Sequence, residues 1–430
     1  MVIERPAYMN KLISLMWNGQ AKVITGIRRC GKSYLLKTLF REYLVNVKGV
    51  PSENILVIEL DDIVNARLRN PLELSRHVRN WVAVKTGEKY LFIDEIQMSA
   101  KVPNPFVPTA EPLTFYDALN GFLHIADLDV YVTGSNSKML SSDILTEFRG
   151  RGDEIRLHPL SFAEYYAATG GDRKVAFDRY ARFGGMPATL SRPDDASVEA
   201  YLKSLFEEVY LKDIVERKHL ERVDVLGKVI DFIGSGIGSL TNPNNIATSL
   251  EAADGTRVSS FTVAEYINHL KDAFLVSEAR RYDVKGRSYF DFPNKYYFED
   301  IGLRNARTSF RQQEMTHIME NIIYNDLIRR GYSVDVGVVF SRENNRNGNS
   351  VRIAREIDFV VNKAGERIYI QSAYALPDEE KRISEVKPFS LTGDSFRKII
   401  IRNDVGLKWL DENGILNLNL LDFLLDETVV

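Results

Sequence analysis

The sequence predicts an α/β fold that is built on a parallel β-sheet, and three observations support this prediction. An apolar stretch at residues 21–25 leads through a glycine-containing segment, 26–33, into a helical stretch that begins at Tyr34. Other short runs rich in β-branched residues alternate with helical stretches, which favours strands that are buried on both faces of a parallel sheet. One of these runs ends in two adjacent carboxylates, Asp94 and Glu95.

Residues 26–33 have the sequence GIRRCGKS, which is the pattern of a phosphate-binding loop in its strand–loop–helix setting. Gly26 and Gly31 permit backbone angles and a close approach that a Cβ atom would prevent. The exposed N–H groups and the positive end of the following helix would then surround phosphates. We expect Lys32 to reach the β- and γ-phosphates of a nucleotide and the Ser33 hydroxyl to bind Mg²⁺.

The other loop residues and the first residue of the helix are also expected to line the nucleotide; they are Ile27, Arg28, Arg29, Cys30 and Tyr34. Cys30 is the single cysteine of the chain, so no intrachain disulfide can form and a reducing cytoplasm is the expected location. We favour a small filler role for the Cys30 side chain, although alkylating it should block nucleotide binding.

The composition is that of an ordinary globular protein. The chain has 430 residues, of which 44% are hydrophobic and 27% charged, and about three domains are expected at this length. The net charge of −3 does not favour a surface coated for nucleic acid, although a local basic face is allowed. No segment approaches the ~18 apolar residues of a membrane span, and no membrane partner is expected.

The carboxylate pair follows a second predicted strand, 55–60, and a helix at 71–85. Asp94 would hold Mg²⁺ directly or through water, and Glu95 would polarise the water that attacks the γ-phosphate. A simpler interpretation is that the pair only caps the next helix. The complete phosphate loop upstream favours the catalytic interpretation.

A further strand near residues 129–133 ends in small polar side chains, of which Ser135 and Asn136 are the candidates to contact the γ-phosphate or the attacking water. A helix N-cap is the alternative role. A helix over 138–148 then leads to Arg149 and Arg151 and a last strand at 153–157. Either arginine could reach the γ-phosphate of a neighbouring subunit, or both could lie on the surface at a helix C-terminus.

Four stretches together resemble an AAA+ superfamily ATPase, namely GIRRCGKS, LFIDEIQ, VYVTGSNSKML and FRGRGDEIRLHPLSFAEYY. More narrowly, the chain resembles prokaryotic AAA+ proteins that carry a C-terminal domain of unknown function similar to restriction endonucleases. The later stretches ARFGGMPATL, VYLKDIVERK, RRYDVKGR and FEDIGLRNA are similar to that family as well. The resemblance therefore spans nearly the whole chain.

This resemblance implies ATP and Mg²⁺ as cofactors and an ATPase whose nucleotide chemistry is carried by Lys32, Ser33, Asp94 and Glu95. It also implies a first sensor at Ser135 and Asn136, an arginine finger at Arg149 or Arg151, and a homo-oligomer. The sequence shows no second-sensor arginine in the lid region. Related signalling ATPases act as switches, which weakens the expectation of a hexameric ring.

The resemblance and the order of elements divide the chain into four expected domains. They are an AAA+ nucleotide-binding core at 1–165, a helical lid at 166–222, a winged helix-turn-helix domain at 223–305 and a restriction-endonuclease-like domain at 306–430.

The expected winged helix-turn-helix domain has three helical stretches followed by a hairpin at 275–298. Its third helix would enter the major groove if the domain binds DNA. That helix has one lysine, Lys271, against Glu265 and Asp272, whereas the hairpin has four basic residues against two acidic ones. We therefore favour a protein contact over DNA reading, and both a DNA and a protein partner stay open.

The C-terminal order of elements is similar to the restriction-endonuclease fold. Glu320 and Asp358 match two of its metal-binding acids, and Gln371 matches the third position loosely. Ala373 stands where the lysine of an active nuclease is required, although Lys363 or Lys381 could substitute. A polar turn or a disordered tip is expected over 341–350. We favour an inert fold that serves binding or assembly over a working nuclease.

The leading functional hypothesis is a Mg²⁺-dependent ATPase in which nucleotide state moves or assembles the C-terminal domains, on a DNA or protein partner or in antiphage defence. One alternative is an ATP-regulated nuclease that uses Glu320 and Asp358. Another is a regulatory or assembly protein that binds ATP with little turnover.

Overall fold

A computed structural model describes residues 2–134, 151–311, 314–344 and 349–430. The chain forms two compact units. The first comprises Met1–Pro159 with Asp272–Phe274, and the second comprises Leu160–Lys271 with Leu275–Val430. In the described part of the chain, no helix combines the length and the apolar character needed to cross a membrane.

The first unit is built on a five-stranded sheet in which all neighbouring strands are parallel, as the sequence predicted. Its strands are β1 Ala21–Thr25, β2 Ile55–Glu59, β3 Lys89–Asp94, β4 Leu128–Thr133 and β5 Gly152–Arg156. Their order across the sheet is β2-β3-β4-β1-β5. Every residue of β1, β3 and β4 is buried, which explains why these strands are mostly apolar in the sequence.

The helices of the first unit are α1 Pro6–Ser14, α2 Lys32–Tyr34, α3 Arg41–Asn46, α4 Pro71–Ala83 and α5 Phe115–Phe122, with a π-helical segment, Leu35–Phe40, between α2 and α3. The Asn70 side chain caps α4, and Thr114 with Asp117 forms a capping box on α5. Leu74 and Val78 of α4 pack into the core beside the sheet. Local caps and one apolar face thus account for both helices.

The strand order determines which residues meet at the carboxyl edge of this sheet. β4 lies between β1 and β3, with Val132 aligned with both Val23 and Ile93. Because parallel strands end at the same edge, the end of β1, Asp94 and Thr133 all lie at the edge where the phosphate loop begins.

The second unit contains most of the helices. They are α6 Phe162–Thr169, α7 Arg173–Phe183, α8 Asp195–Ser204, α9 Lys212–Lys218, α10 Val223–Ser235, α11 Pro243–Asp254, α12 Ser260–Asp272, α13 Ile301–Arg307, α14 Met315–Arg329, α15 Glu379–Ser390 and α16 Leu420–Leu425. A π-helical segment, Leu205–Leu211, joins α8 to α9. The three helices expected between residues 223 and 274 are present as α10, α11 and α12.

The strands of the second unit are β6 Val276–Ala279, β7 Arg281–Asp283, β8 Ser288–Tyr289, β9 Lys295–Phe298, β10 Ser333–Asn344, β11 Ser350–Lys363, β12 Glu366–Ala373, β13 Arg397–Arg402, β14 Trp409–Leu410 and β15 Leu416–Asn419. Eight of them form one mixed sheet in the order β14-β15-β13-β12-β11-β10-β7-β8, and β6 pairs with β9. An apolar cluster that includes Tyr369, Ala373 and Phe389 packs against this sheet.

Two sequence predictions about this unit differ from the structure in detail. The expected hairpin over 275–298 is present as two antiparallel pairs, β6 with β9 and β7 with β8, but β7 also runs parallel to β10 and so joins the large sheet. In the stretch 341–350, where a polar turn or disordered tip was expected, the described residues 341–344 belong to β10 and Ser350 begins β11. Pairing between strands supplies backbone hydrogen bonds whatever the side chains, so polar composition alone did not reveal these strands.

The stretches ARFGGMPATL and FEDIGLRNA contact each other within the second unit. A Cβ atom on Gly184 would lie 2.3 Å from Asp300 Oδ1, which only glycine avoids. Asp300 accepts hydrogen bonds from the N–H groups of Gly185 at 2.7 Å and Leu303 at 3.0 Å and so caps α13. Burial raises the pKa of Asp300 to about 6, against the effect of these bonds. The two stretches therefore pack closely against each other.

Candidate functional site

The loop 26–33 connects β1 to α2 and depends on its glycines. Gly26 and Gly31 have φ angles of 136° and 105°, which side chains disfavour. A Cβ atom on Gly26 would lie 2.1 Å from the carbonyl oxygen of Leu157. The loop therefore packs directly against the backbone that follows β5.

Lys32 is buried, and its ammonium group lies within the loop. Its Nζ donates hydrogen bonds to the carbonyl oxygens of Gly26 at 2.9 Å and Ile27 at 3.0 Å. A backbone carbonyl is a weaker partner for an ammonium group than a phosphate oxygen is. The lysine is thus positioned to exchange these two acceptors for phosphate oxygens.

The other predicted loop residues take different positions. Ile27 and Cys30 are buried, and the Cys30 thiol donates to the Leu157 carbonyl at 3.4 Å, which agrees with a filler role. Arg28 is half-buried and Arg29 is exposed. The Tyr34 hydroxyl accepts a hydrogen bond from a backbone N–H near the N-terminus. Ile27 and Cys30 can reach a ligand only through their backbone.

Asp94 lies at the carboxyl end of β3 between a hydroxyl and an ammonium group. The Thr133 hydroxyl donates to Asp94 Oδ1. Lys37 Nζ lies 3.2 Å from Asp94 Oδ2 and 2.5 Å from Glu59 Oε1. Glu59 is the register partner of Asp94 on β2, so the two carboxylates face one cation.

The charge of Lys37 is maintained by these two acids. Partial burial favours the neutral amine, but the hydrogen bond to Glu59 and the charge of Asp94 outweigh it and raise the pKa of Lys37. A full positive charge therefore lies beside Asp94 at neutral pH. The side chain of Lys37 is 29% exposed, so it can move toward solvent.

Glu95 has a left-handed backbone, with φ 55° and ψ 53°, which is uncommon for a residue with a side chain. Its N–H donates to the Thr133 hydroxyl at 3.1 Å, and its carboxylate accepts from the Gln97 amide. Thr133 therefore contacts both members of the carboxylate pair. Strained backbone of this kind occurs often at functional sites.

Of the remaining predicted site residues, Arg151 is the one that the structure describes, and it does not lie at this edge. Ser135, Asn136 and Arg149 lie outside the described residues. Arg151 is exposed, and its carbonyl accepts from the N–H of Ala21 at 3.0 Å, at the amino end of β1. The five-residue strand β1 rises about 3.3 Å per residue, so the backbone of Arg151 and the phosphate loop lie at opposite edges of the sheet.

Sequence reasoning missed three side chains of this site, Lys37, Glu59 and Thr133. Thr133 ends its strand just before Ser135 and Asn136, the residues that the sequence analysis chose as candidates. A search for polar side chains at strand ends would have found Thr133 as well. Lys37 and Glu59 carry no sequence pattern that marks them, because their meeting with Asp94 depends on strand order.

The second unit contains a buried charged cluster around Lys295. Its Nζ lies 2.8 Å from Glu320 Oε1, 2.6 Å from Glu356 Oε1 and 3.6 Å from Asp358 Oδ1. The side chain of Lys295 is only 3% exposed. The Tyr297 hydroxyl donates to Glu320 at 2.6 Å. The structure thus places Glu320 and Asp358 around one lysine, Lys295, which the sequence analysis did not predict.

Burial and charge act in opposite directions on this cluster. Burial disfavours the charged amine, but the three neighbouring carboxylates outweigh it and raise the pKa of Lys295. Burial raises the pKa of Asp358 well above its usual range, although Lys295 opposes the shift. Asp358 Oδ2 also accepts from the Ser372 N–H at 2.8 Å. Lys295 therefore stays charged and supplies a positive charge to the acids around it.

The two lysines named as possible substitutes for the nuclease lysine, Lys363 and Lys381, make other contacts. Lys363 donates to the Arg330 carbonyl at 2.9 Å. Lys381 pairs with Glu385 at 2.9 Å, and Glu385 accepts from the Gln371 amide at 2.8 Å. Among the described residues, the lysine that pairs with Asp358 is Lys295, on a strand that the sequence placed in a different domain.

Comparison with known proteins defines the class of the first unit. Residues 18–166 match the AAA domain family, and residues 174–314 match a domain of unknown function. An uncharacterized protein of Haemophilus influenzae is 30% identical over 405 residues, which cover 93% of each chain. The chain belongs to the same protein family as this relative.

Two more distant similarities extend over most of the chain. An uncharacterized protein of Methanocaldococcus jannaschii is 24% identical over 409 residues, which cover 90% of this chain and 83% of that protein. The ADP form of the Aeropyrum pernix ORC2 protein is 12% identical with a TM-score of 0.36, over 74% of this chain and 95% of that structure.

The buried cluster predicts a large effect of removing its cation. The substitution Lys295→Met should lower the free energy of unfolding by about 3–5 kcal/mol, because it leaves buried carboxylates without a counter-charge. The loss should shrink in acidic buffer, where protonation removes the uncompensated charge. Urea unfolding followed by circular dichroism measures it. The exposed Lys408→Met variant is the control, and its free energy of unfolding should stay within about 0.5 kcal/mol of that of the parent. An equal loss of stability in both variants would contradict the role of Lys295.

Proposed function

We propose that the protein is a Mg²⁺-dependent ATPase of the AAA+ class. The observation that carries the proposal is the placement of a phosphate loop and the carboxylate pair Asp94–Glu95 at one edge of a single parallel sheet. Thr133 ends β4, the strand between β1 and β3, and its hydroxyl contacts both Asp94 and Glu95. Such an edge is where parallel α/β sheets bind their ligands.

The residues at this edge have the chemistry of a magnesium site. A serine hydroxyl at Ser33 and the carboxylate of Asp94 are oxygen donors of the kind that Mg²⁺ prefers, with water and phosphate completing its shell. Lys37 lies beside Asp94 but is 29% exposed, so it can move toward solvent and leave the carboxylate to the metal. When bound, Mg²⁺ would neutralise charge that develops on the transferred phosphoryl group.

Each side chain then has a distinct task. Lys32 would leave the loop carbonyls and bind the β- and γ-phosphates. Glu95 would accept a proton from the attacking water, and the hydrogen bond of its N–H to Thr133 would hold its backbone in position. Gln97 would keep the Glu95 carboxylate from rotating away from that water.

Nucleotide state would control how the C-terminal part of the chain engages a partner. The helices α10–α12 with β6 and β9 would form the winged-helix domain, and the following sheet would form an inert restriction-endonuclease-like domain. The partner would be DNA or a protein, with antiphage defence as one setting. Homo-oligomer formation would allow Arg149 or Arg151 to act on the nucleotide of a neighbouring subunit, which suits the exposed position of Arg151.

Two substitutions separate binding from turnover. Lys32→Ala should abolish ATP binding, because it removes the main positive charge from the loop. Glu95→Gln should bind Mg-ATP as the parent does but lower steady-state phosphate release at least a hundredfold, within the range that a general base contributes. Calorimetric titration measures the first effect and a phosphate-release assay the second.

The exposed Lys48→Ala variant is the control for both measurements and should behave as the parent does. Phosphate release by Glu95→Gln at the parental rate would refute the role of Glu95. Tight ATP binding with negligible turnover by the parent would instead favour ATP as a structural cofactor of a regulatory or assembly protein.

The alternative of an ATP-regulated nuclease has less support. The Lys295 ammonium lies among Glu320, Glu356 and Asp358, where a nuclease would bind its metal. Among the described residues, no three His, Cys, Asp or Glu side chains are arranged to hold a metal ion. Ala373, at the position of the nuclease lysine, is part of the apolar core.

We therefore expect no cleavage of plasmid DNA by the parent in the presence of Mg²⁺, with or without ATP. Agarose electrophoresis after prolonged incubation measures this. The Asp358→Ala variant serves as the matched control for contaminating nuclease. Cleavage by the parent that disappears in Asp358→Ala would overturn the inert interpretation.

A further inference from the structure

β10 and β11 continue beyond the large sheet as a two-stranded ribbon. β10 pairs with β7 only at residues 336–338, and β11 pairs with β12 only at residues 359–363. Within the described chain, residues 339–344 and 350–355, here called the ribbon, pair only with each other. At about 3.3 Å per residue the ribbon is about 20 Å long.

One face of the ribbon carries exposed basic and polar side chains. Arg342 lies directly opposite Arg352, and Asn344 lies opposite Ser350. The guanidinium of Arg352 lies 3.6 Å from the centre of the Phe340 ring. Neither arginine forms an ion pair with a carboxylate of the described residues. Like charges at opposed positions destabilise an antiparallel pair, so the stability of the ribbon does not explain both arginines.

The opposite face attaches the ribbon to the rest of the second unit. Glu343 forms ion pairs with Lys387 of α15 at 2.9 Å and with Arg355 at 2.6 Å. Hydrogen bonds from Lys387 and Arg355 lower the pKa of Glu343 to about 2, so this contact persists in mild acid. Because side chains alternate along a strand, Arg342 and Arg352 point away from α15.

We propose that the ribbon binds in the major groove of duplex DNA through Arg342 and Arg352. Two strands with their side chains form a ribbon about 10 Å wide, and the major groove, about 12 Å wide, admits such a ribbon. Arginine and asparagine donors match phosphates and base edges there. The major groove of duplex RNA is too deep and narrow for this contact. The proposal assigns a DNA-binding element and does not depend on ATP turnover.

The test uses the full chain and fluorescence anisotropy with a labelled DNA duplex about two helical turns long. The Arg342→Gln/Arg352→Gln variant should bind about tenfold to a hundredfold more weakly, and the slope of log affinity against log salt should fall by about two. The Arg67→Gln/Arg76→Gln variant removes the same charge from exposed positions that pair with Glu73 and should bind as the parent does.

Four outcomes would overturn the proposal. They are no duplex binding by the parent, equal weakening in the two double variants, equally tight binding of duplex RNA, and equally tight binding of polyglutamate, which would point to an acidic protein partner. Thermal unfolding gives an independent check. The ribbon variant should keep a Tm close to that of the parent, because relief of the opposed charges offsets loss of the Arg352–Phe340 contact. A clearly lower Tm would be a fifth outcome against the proposal, since the arginines would then stabilise the fold instead.

Discussion

The Thr133 hydroxyl holds the proposed catalytic edge of the first unit together. It donates to the Asp94 carboxylate and accepts from the backbone N–H of Glu95, so one side chain contacts both residues of the pair. It can do so only because β4 lies between β1, which leads into the phosphate loop, and β3, which ends in the carboxylates. The strand order therefore brings three segments that are distant in the sequence together in one site. Packing of the buried strands stabilises this order.

The two units use a lysine among carboxylates in different ways, and exposure explains the difference. Lys37 is 29% exposed beside Asp94, so solvent can replace the protein contacts when the lysine moves. Lys295 is 3% exposed among three acids, and separating it from them would leave buried charge without compensation. We infer that the contacts of Lys37 can be exchanged for contacts with a ligand, as a nucleotide site requires. The contacts of Lys295 instead stabilise the structure of its domain.

The sequence predicted those features that depend on neighbouring residues. Apolar runs, the GIRRCGKS loop and the position of Asp94 at a strand end all follow from local patterns. Lys295 was not predicted beside Glu320, because the two lie on elements whose contact depends on the tertiary fold. Lys37 was missed for the same reason. The strands within 341–350 were missed because their partner strand, and not their own polar side chains, stabilises them. The sensor and arginine-finger assignments stay predictions.

The most direct test of the account is a structure of the full chain with Mg²⁺ and a non-hydrolysable ATP analogue. The account predicts that Lys32 Nζ leaves the carbonyl oxygens of Gly26 and Ile27 and contacts the β- and γ-phosphates, with Ser33 and Asp94 at the metal. An analogue bound elsewhere, or a Lys32 that keeps its carbonyl contacts beside a bound analogue, would contradict the assignment of this loop as the ATP site.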